Sequence, residues 1–268
     1  MILRWKDTTH APIETDDFTP ENLLPLAPAE LARRPLLVGN QTAEFGDLFT
    51  IEPTDNPFLT LEGNLRHIRG LGRKMASGHL ILRGQAGPYL GAEMIGGRID
   101  LHGDAADYAG AEMRGGLIHI HGHAADLLGA SYPGSRLGMR DGMILVDGDA
   151  GDQAGRKMRR GLIAVSGAVG EGFGHGLIAG SLFALGSIGN HAGAGMKRGT
   201  IALLARENPE LFPSFAPAGR YQFPFLRLYL RRLAALGLPV PSEVLSGSAE
   251  RYNGDLAEGG KGEILLLS

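Results

Sequence analysis

Six glycines, Gly84, Gly103, Gly122, Gly148, Gly167 and Gly186, stand 19, 19, 26, 19 and 19 residues apart, and the sequence around each one repeats. Self-similarity at that period marks a chain built from stacked units, each too small to bury an apolar face alone. A second glycine follows seven residues later in every unit (Gly91, Gly110, Gly129, Gly155, Gly174, Gly193), and a third closes it (Gly97, Gly116, Gly142, Gly161, Gly180, Gly199). Three residues before the closing glycine sits a methionine in six cases, Met75, Met94, Met113, Met139, Met158 and Met196, with Leu177 in the seventh. Nineteen residues carrying three glycines leave no room for a helix of ten or more residues, so helical repeats are excluded.

After each closing glycine comes a short alternating segment: His79 to Arg83, Arg98 to His102, Leu117 to His121, Met143 to Asp147, Leu162 to Ser166, Ser181 to Leu185 and Thr200 to Leu204. Their second and fourth residues, such as Leu80 and Leu82 or Ile144 and Val146, are apolar in every unit. Period-two geometry turns both to one face, so they predict two apolar columns inside a stack of parallel strands about 4.8 Å apart. The expected fold is all-β: a right-handed parallel β-helix of about eight coils, the first a looser one around Phe58 to Glu62. Residues 1–57 are expected to wrap one end or flank, 58–205 to form the repeat domain, and 206–268 to supply a helical cap and tail. Pro224 to Leu236 reads as an amphipathic helix stopped by Gly237 and Pro239, placed to close the last coil. Glu263 to Leu267 is a candidate final strand.

The absence of cysteine removes disulfides, thiolate metal sites and cysteine nucleophiles together, and suits a reducing compartment. A net charge of -3 gives no basic footprint for nucleic acid and no polybasic membrane patch. No signal-peptide pattern opens the chain and no apolar run reaches the roughly 20 residues that span a bilayer, so the expected location is the cytoplasm.

Chemistry has few places to sit. On the outward side of the strands Asp100, His102, His119, His121 and Asp147 fall on neighbouring units, with His102 and His121 in one column. Two imidazoles one strand apart suit a metal ion or a proton relay. The same residues suit a solvated or partner-covered face, since no third ligand is compelled and Arg83 opposes a cation. Further along, that outward face turns apolar at Leu145, Ala164, Phe183, Leu185 and Leu204, a stripe that calls for a cover and is expected to dock a partner. A seven-residue insertion around Ala130 to Arg136 carries Tyr132 and is expected to protrude as a second docking element. A column of Arg114, Arg140, Arg159 and Lys197, flanked by Arg156, Lys157, Arg160 and Arg198, forms a basic ridge that fits either a polyanionic ligand or a plain charged edge. Asp107, Asp126, Asp152, Glu171 and Asn190 recur at a turn, where such residues bond their own turn backbone. No Gly-Lys-Ser or Gly-Lys-Thr phosphate loop occurs.

The repeated Gly-x-x-Met-x-x-Gly-x-Ile-x-Leu-x-Gly unit, covering roughly Val38 to Ala205, resembles the glycine-motif β-helix family shared by the carboxy-terminal domain of glutamate synthase and the C subunit of formylmethanofuran dehydrogenase. Gly39-Asn40, Gly46-Asp47, the stretch GNHAGAGMKRGTI (Gly189 to Ile201) and the ending RYNGDLAEGGKGEIL (Arg251 to Leu265) are similar to the pattern of that dehydrogenase subunit, and within it to the bacterial formyltransferase/hydrolase complex. The resemblance implies a non-catalytic scaffold among other subunits of a complex that moves a formyl group from formyl-tetrahydromethanopterin to methanofuran and hydrolyses it to formate. It implies zinc in a partner subunit and a methanofuran with a polyglutamate chain, a polyanion that the basic ridge of Arg114, Arg140, Arg159 and Lys197 is expected to help hold. An archaeal molybdenum or tungsten dehydrogenase subunit and an independent hydrolase using the outward histidines are the alternatives.

Overall fold

Register follows the repeat. The computed structural model of the protein describes residues 1–15, 17–204 and 210–267. In it Leu80 lies opposite Ile99, Ile99 opposite Ile118, Ile118 opposite Ile144, and the column continues through Ile163, Leu182 and Ile201 to Ile264. Every one of these side chains is fully buried, as are the fourth-position residues Leu82, Leu101, Ile120, Val146, Val165 and Ala184 beside them. A branched aliphatic at each such position packs on its counterpart above and below, so each unit completes the core of the next.

The strands form one thirteen-stranded sheet. It runs parallel from Ile2–Trp5 through Leu59–Glu62, His79–Arg83, Arg98–His102, Arg114–Ile120, Asp141–Val146, Leu162–Val165, Ser181–Ala184 and Arg198–Leu203 to Lys261–Leu267. Antiparallel strands finish both ends: Phe49–Glu52 at one, Ser248–Gly254 and Ala216–Gln222 at the other. A second ladder of single-residue parallel bridges joins Leu65, Ala86, Ala105, Ala124, Ala150, Val169 and Ile188 in turn. The insertion before Asp141 leaves both ladders intact, with a register shift between Arg114 and Leu117. Each methionine of the column, and Leu177, is fully buried against the next closing glycine.

Residues 1–15 and 17–57 lie at the first end. Besides their strands in the large sheet, Ile13–Glu14, Pro35–Val38 and Gln41–Glu44 form a small sheet with Ile68–Arg69. Phe18, Phe45 and Phe49 pack with centroid separations of 4.8 to 5.7 Å and, with Trp5, shut the core from water there. The expected boundary at 205/206 lies outside the described residues.

Two expectations about the far end need correction. The helix Pro224–Ala235 does not close the last unit; it lies across the outer face of the sheet. Its Leu226, Leu230 and Leu233 are buried in one cluster with Leu145, Ala164, Phe183, Ala202, Leu265 and Leu267. The physical reason is complementarity. An apolar sheet stripe and an apolar helix stripe of one chain gain about 25 cal/mol for each Å² they hide together, whereas the strand end already has Lys261–Leu267 to pair its backbone. The helix ends in a Schellman arrangement, with Leu238 N–H donating to Leu233 O and Gly237 N–H to Ala234 O. Leu145 and Phe183, expected to receive a partner, are therefore covered by this chain, and Leu185 and Leu204 are half-buried against the same cluster.

Candidate functional sites: a histidine face and a basic cleft

Third-position residues on the outer face change from polar to apolar along the stack: Asp100, His119, Leu145, Ala164, Phe183. Asp100 and His119 are each only 6% exposed, which corrects the expectation that both face solvent or a partner. Arg98 donates to Asp100 Oδ2 through Nε at 2.6 Å and to Oδ1 through Nη2 at 2.8 Å, and His79 Nε2 lies 2.5 Å from Oδ2. Asp147 joins His119 Nε2 and His121 Nδ1, both at 2.8 Å. Arg98 and His79 occupy the first position of their strands; Arg98 shares Asp100's face by strand alternation, and only the register reveals that His79 reaches it.

The imidazoles of His102 and His121 are not aimed at a common point. His102 and His121 stack at 4.5 Å with an 8° interplanar angle, so their in-plane lone pairs run side by side and do not converge. Ligand atoms of Asp100, His119 and His121 do lie within 4.8 Å of one another. Yet both Asp100 oxygens are held by Arg98, whose positive charge would sit beside any cation. Burial and the neighbouring His121 lower the pKa of His102 below the usual imidazole range.

The network instead stabilises the fold. Burial alone would raise the Asp100 carboxyl, but the hydrogen bonds and charges of Arg98 and His79 outweigh it and hold the pKa below the ordinary carboxylate range. A carboxyl whose folded pKa is depressed contributes stability above its unfolded value, about 3.9, that is lost as pH falls through the folded value. Asp100→Asn should therefore lower stability by about 2 kcal/mol at pH 7 and flatten the acid limb below pH about 4. Thermal melts of both proteins from pH 7 to pH 3 check this, and parallel acid limbs would refute it.

The inserted loop does not stand away from the stack. Tyr132 folds back over Tyr89 and Tyr108, with centroids 5.9 and 6.2 Å away, and donates its hydroxyl to Glu93 Oε1 at 3.3 Å. Burial, with Glu93 beside it, pushes the phenol pKa upward. The recurrent turn carboxylates are structural, though not through their own turns: Asp126 Oδ1 accepts from Asp152 N–H, and Asp152 Oδ1 from Glu171 N–H, each at 2.8 Å, stitching one unit to the next.

The cation column divides. Arg140 is taken up by Glu112, Nη2 to Oε2 at 3.1 Å, and Arg114 is exposed and does not line the cleft that the later cations share. Arg159 and Lys197, by contrast, line a cleft of about 530 Å³ together with Arg160, Arg198 and Lys261. Lys261 arrives from the last strand, opposite Arg198, and sequence spacing gave no signal for it. The one acid in the lining is Glu258, 4.0 Å from Lys197; the other four cations make no ion pair among the described residues. Unpaired cations around a concavity raise the local concentration of anions and suit bidentate binding of carboxylate or phosphate.

The family model of the GXGXG motif matches residues 66–213, which hold most of both ladders and one lip of this cleft. The chain belongs to the GXGXG motif family. This GXGXG protein is 31% identical, over the whole of both chains and with a TM-score of 0.90, to a chain in the crystal structure of the formyltransferase/hydrolase complex (FhcABCD) from Methylorubrum extorquens in complex with methylofuran. It is also similar to the C subunit of tungsten-containing formylmethanofuran dehydrogenase 2, at 31% identity over 92 residues in Methanococcus maripaludis and 33% over 95 residues in Methanothermobacter wolfeii. Those alignments span 34% of this chain and 34% to 35% of the curated relatives' own lengths. Among the described residues no helix is long and apolar enough to cross a membrane.

Proposed function

We propose that this chain is a non-catalytic scaffold subunit of a cytoplasmic formyltransferase/hydrolase complex, carrying formyl groups from formyl-tetrahydromethanopterin to formate by way of methanofuran. The observation that carries the reading is the full-length likeness at 31% identity to a chain of such a complex. The equivalent subunit of a tungsten dehydrogenase is the second reading, favoured by the curated relatives, but over a third of their length only. Both readings put the chain among other subunits, with zinc and the formyl chemistry in those partners. The closed network around Asp100 and Asp147 supports a chain that does no chemistry alone, since its carboxylates and imidazoles are already paired with one another.

The two parallel ladders support a right-handed parallel β-helix of about eight coils, because parallel strands in one sheet are joined by right-handed crossovers. The described residues up to 57 are its first cap, and 210–267 return to extend the far end and cover the outer face.

The cleft formed by Arg159, Arg160, Lys197, Arg198 and Lys261 fits a polyanionic cofactor tail such as the polyglutamate expected on methanofuran. These guanidinium and ammonium groups would hold its carboxylates, and a bound methanofuran would supply the amine that carries the formyl group. The chain should co-purify from its host with formyltransferase and hydrolase chains, and formate release should appear only with the assembly. A lone chain that hydrolyses substrate would overturn the proposal. Within an intact assembly, Arg159→Ala with Arg198→Ala should weaken cofactor retention about tenfold or more. Arg140→Ala should leave it unchanged.

A further inference from the structure

We propose that the outer face of the helix Pro224–Ala235, with Tyr221 beside it, docks onto an acidic surface of a partner subunit that offers an apolar recess. The inference rests on the scaffold reading above and locates one of its interfaces. With the apolar sheet stripe spent on the helix's inner side, the exposed apolar side chains concentrate on its outer one. Of the large apolar side chains that stand out among the described residues, half lie between positions 221 and 229: Tyr221, Phe225, Leu228 and Tyr229. Leu228 is 69% exposed. The rings follow one another across the surface, Tyr221 to Phe223 at 6.0 Å, Phe223 to Phe225 at 5.7 Å and Phe225 to Tyr229 at 6.5 Å. Aromatic and arginine side chains are the composition that carries binding energy at protein interfaces, and here they surround a protruding leucine.

Charge says what covers it. From residue 211 to residue 242 there is no aspartate or glutamate, and the arginines are Arg220, Arg227, Arg231 and Arg232, in a chain of net charge -3. Arg220 has Glu250 opposite it in the neighbouring strand. Arg227, Arg231 and Arg232 are exposed and make no ion pair among the described residues. Arg232, in the last turn, is favoured by the helix dipole, so its presence needs nothing outside the chain. Arg227 is different, because it lies in the first turn, where that dipole disfavours a cation and no acid balances it. A cation kept at an unfavourable helix position, beside an exposed leucine and four rings, points to carboxylates supplied from outside.

The test is assembly of the full chain, co-expressed with the formyltransferase and hydrolase chains of its host, followed by affinity and hydrogen exchange. The wild type should assemble, and its amides from 221 to 236 should gain protection in the complex. Leu228→Asp and the double variant Arg227→Glu with Arg231→Glu should each weaken assembly at least tenfold while melting like the wild type, since all three positions are exposed. Raising the salt should weaken the wild type and not the charge-reversed variant. Failure of the wild type to assemble would sink the scaffold reading and this interface with it. Assembly of both variants with unchanged affinity would overturn this interface alone. Binding of the isolated wild type to vesicles of anionic phospholipid, or its dimerisation in light scattering, either one abolished by Leu228→Asp, would overturn it in favour of a membrane or a second copy.

Discussion

Replacing Gly116 by alanine should destabilise the protein by about 3 kcal/mol or more, while the same change at Gly134 should cost about 1 kcal/mol. Both glycines have positive φ, +88° and +79°, so both substitutions bear the left-handed penalty of an L-residue. They differ in what the new methyl meets. At Gly134 nothing lies within 4 Å. At Gly116 the Cβ would sit 2.7 Å from Met94 Cε and 2.8 Å from the carbonyl oxygen of Gly97. The methionine end can move, but the carbonyl cannot, because it accepts the Leu117 N–H at 3.0 Å and so belongs to the junction between two units. Gly142 and Gly161 meet the same pair of neighbours in their own units, the preceding closing carbonyl and the methionine of the column. On the usual scaling of about 2 to 4 °C per kcal/mol, Gly116→Ala should lower Tm by roughly 6 to 12 °C and Gly134→Ala by about a third of that. Equal shifts in the two melts would show that unit-to-unit contact does not select the closing glycine.

How far the sequence reaches is decided by what a period can encode. The inner columns, Leu80 to Ile201 and Leu82 to Leu203, and the methionine column are properties of one unit repeated, so a single chain displays them fully. The outward third position was legible as a change from Asp100 and His119 to Leu145 and Phe183, and its apolar part was correctly a surface needing a cover. Which segment returns to cover it was not legible, because the stripe of Leu226, Leu230 and Leu233 has the same period whether the helix closes an end or crosses a face. The same limit applies to Lys261, which joins the cleft only because the last strand pairs with Arg198–Leu203. Arg140 left the ridge for a reason periodicity cannot show, since its partner Glu112 occupies a turn in the preceding unit. The strand Ala216–Gln222 was hidden by its Pro217 and Gly219, which break the alternation and coincide with an irregular register against Ser248–Gly254.

Phe183→Ala should cost about 3 to 4 kcal/mol, and the loss should be local to the helix Pro224–Ala235. The ring is 1% exposed and sits among Leu145, Ala164, Leu226 and Leu230, with Tyr229 5.7 Å away. That cluster is separate from the inner core of Ile163, Val165 and Leu182, which lies on the opposite face of the same strands. Emptying the outer layer therefore removes the contacts that hold the helix, yet leaves the stacked columns and their ladders in place. Hydrogen exchange should show the amides of 226–236 losing protection while those of 163–165 keep theirs, and trypsin should cut faster after Arg227, Arg231 and Arg232. Ile163→Ala, of comparable cost, should act the other way and weaken the neighbouring units first, because each unit's core is completed by the units beside it. Equal loss of protection at the helix and at the inner strands in both variants would mean that the two layers unfold as one. In that case the helix would be part of the core's own cooperativity, and a partner docked on its outer face would stabilise the whole stack and not the helix alone.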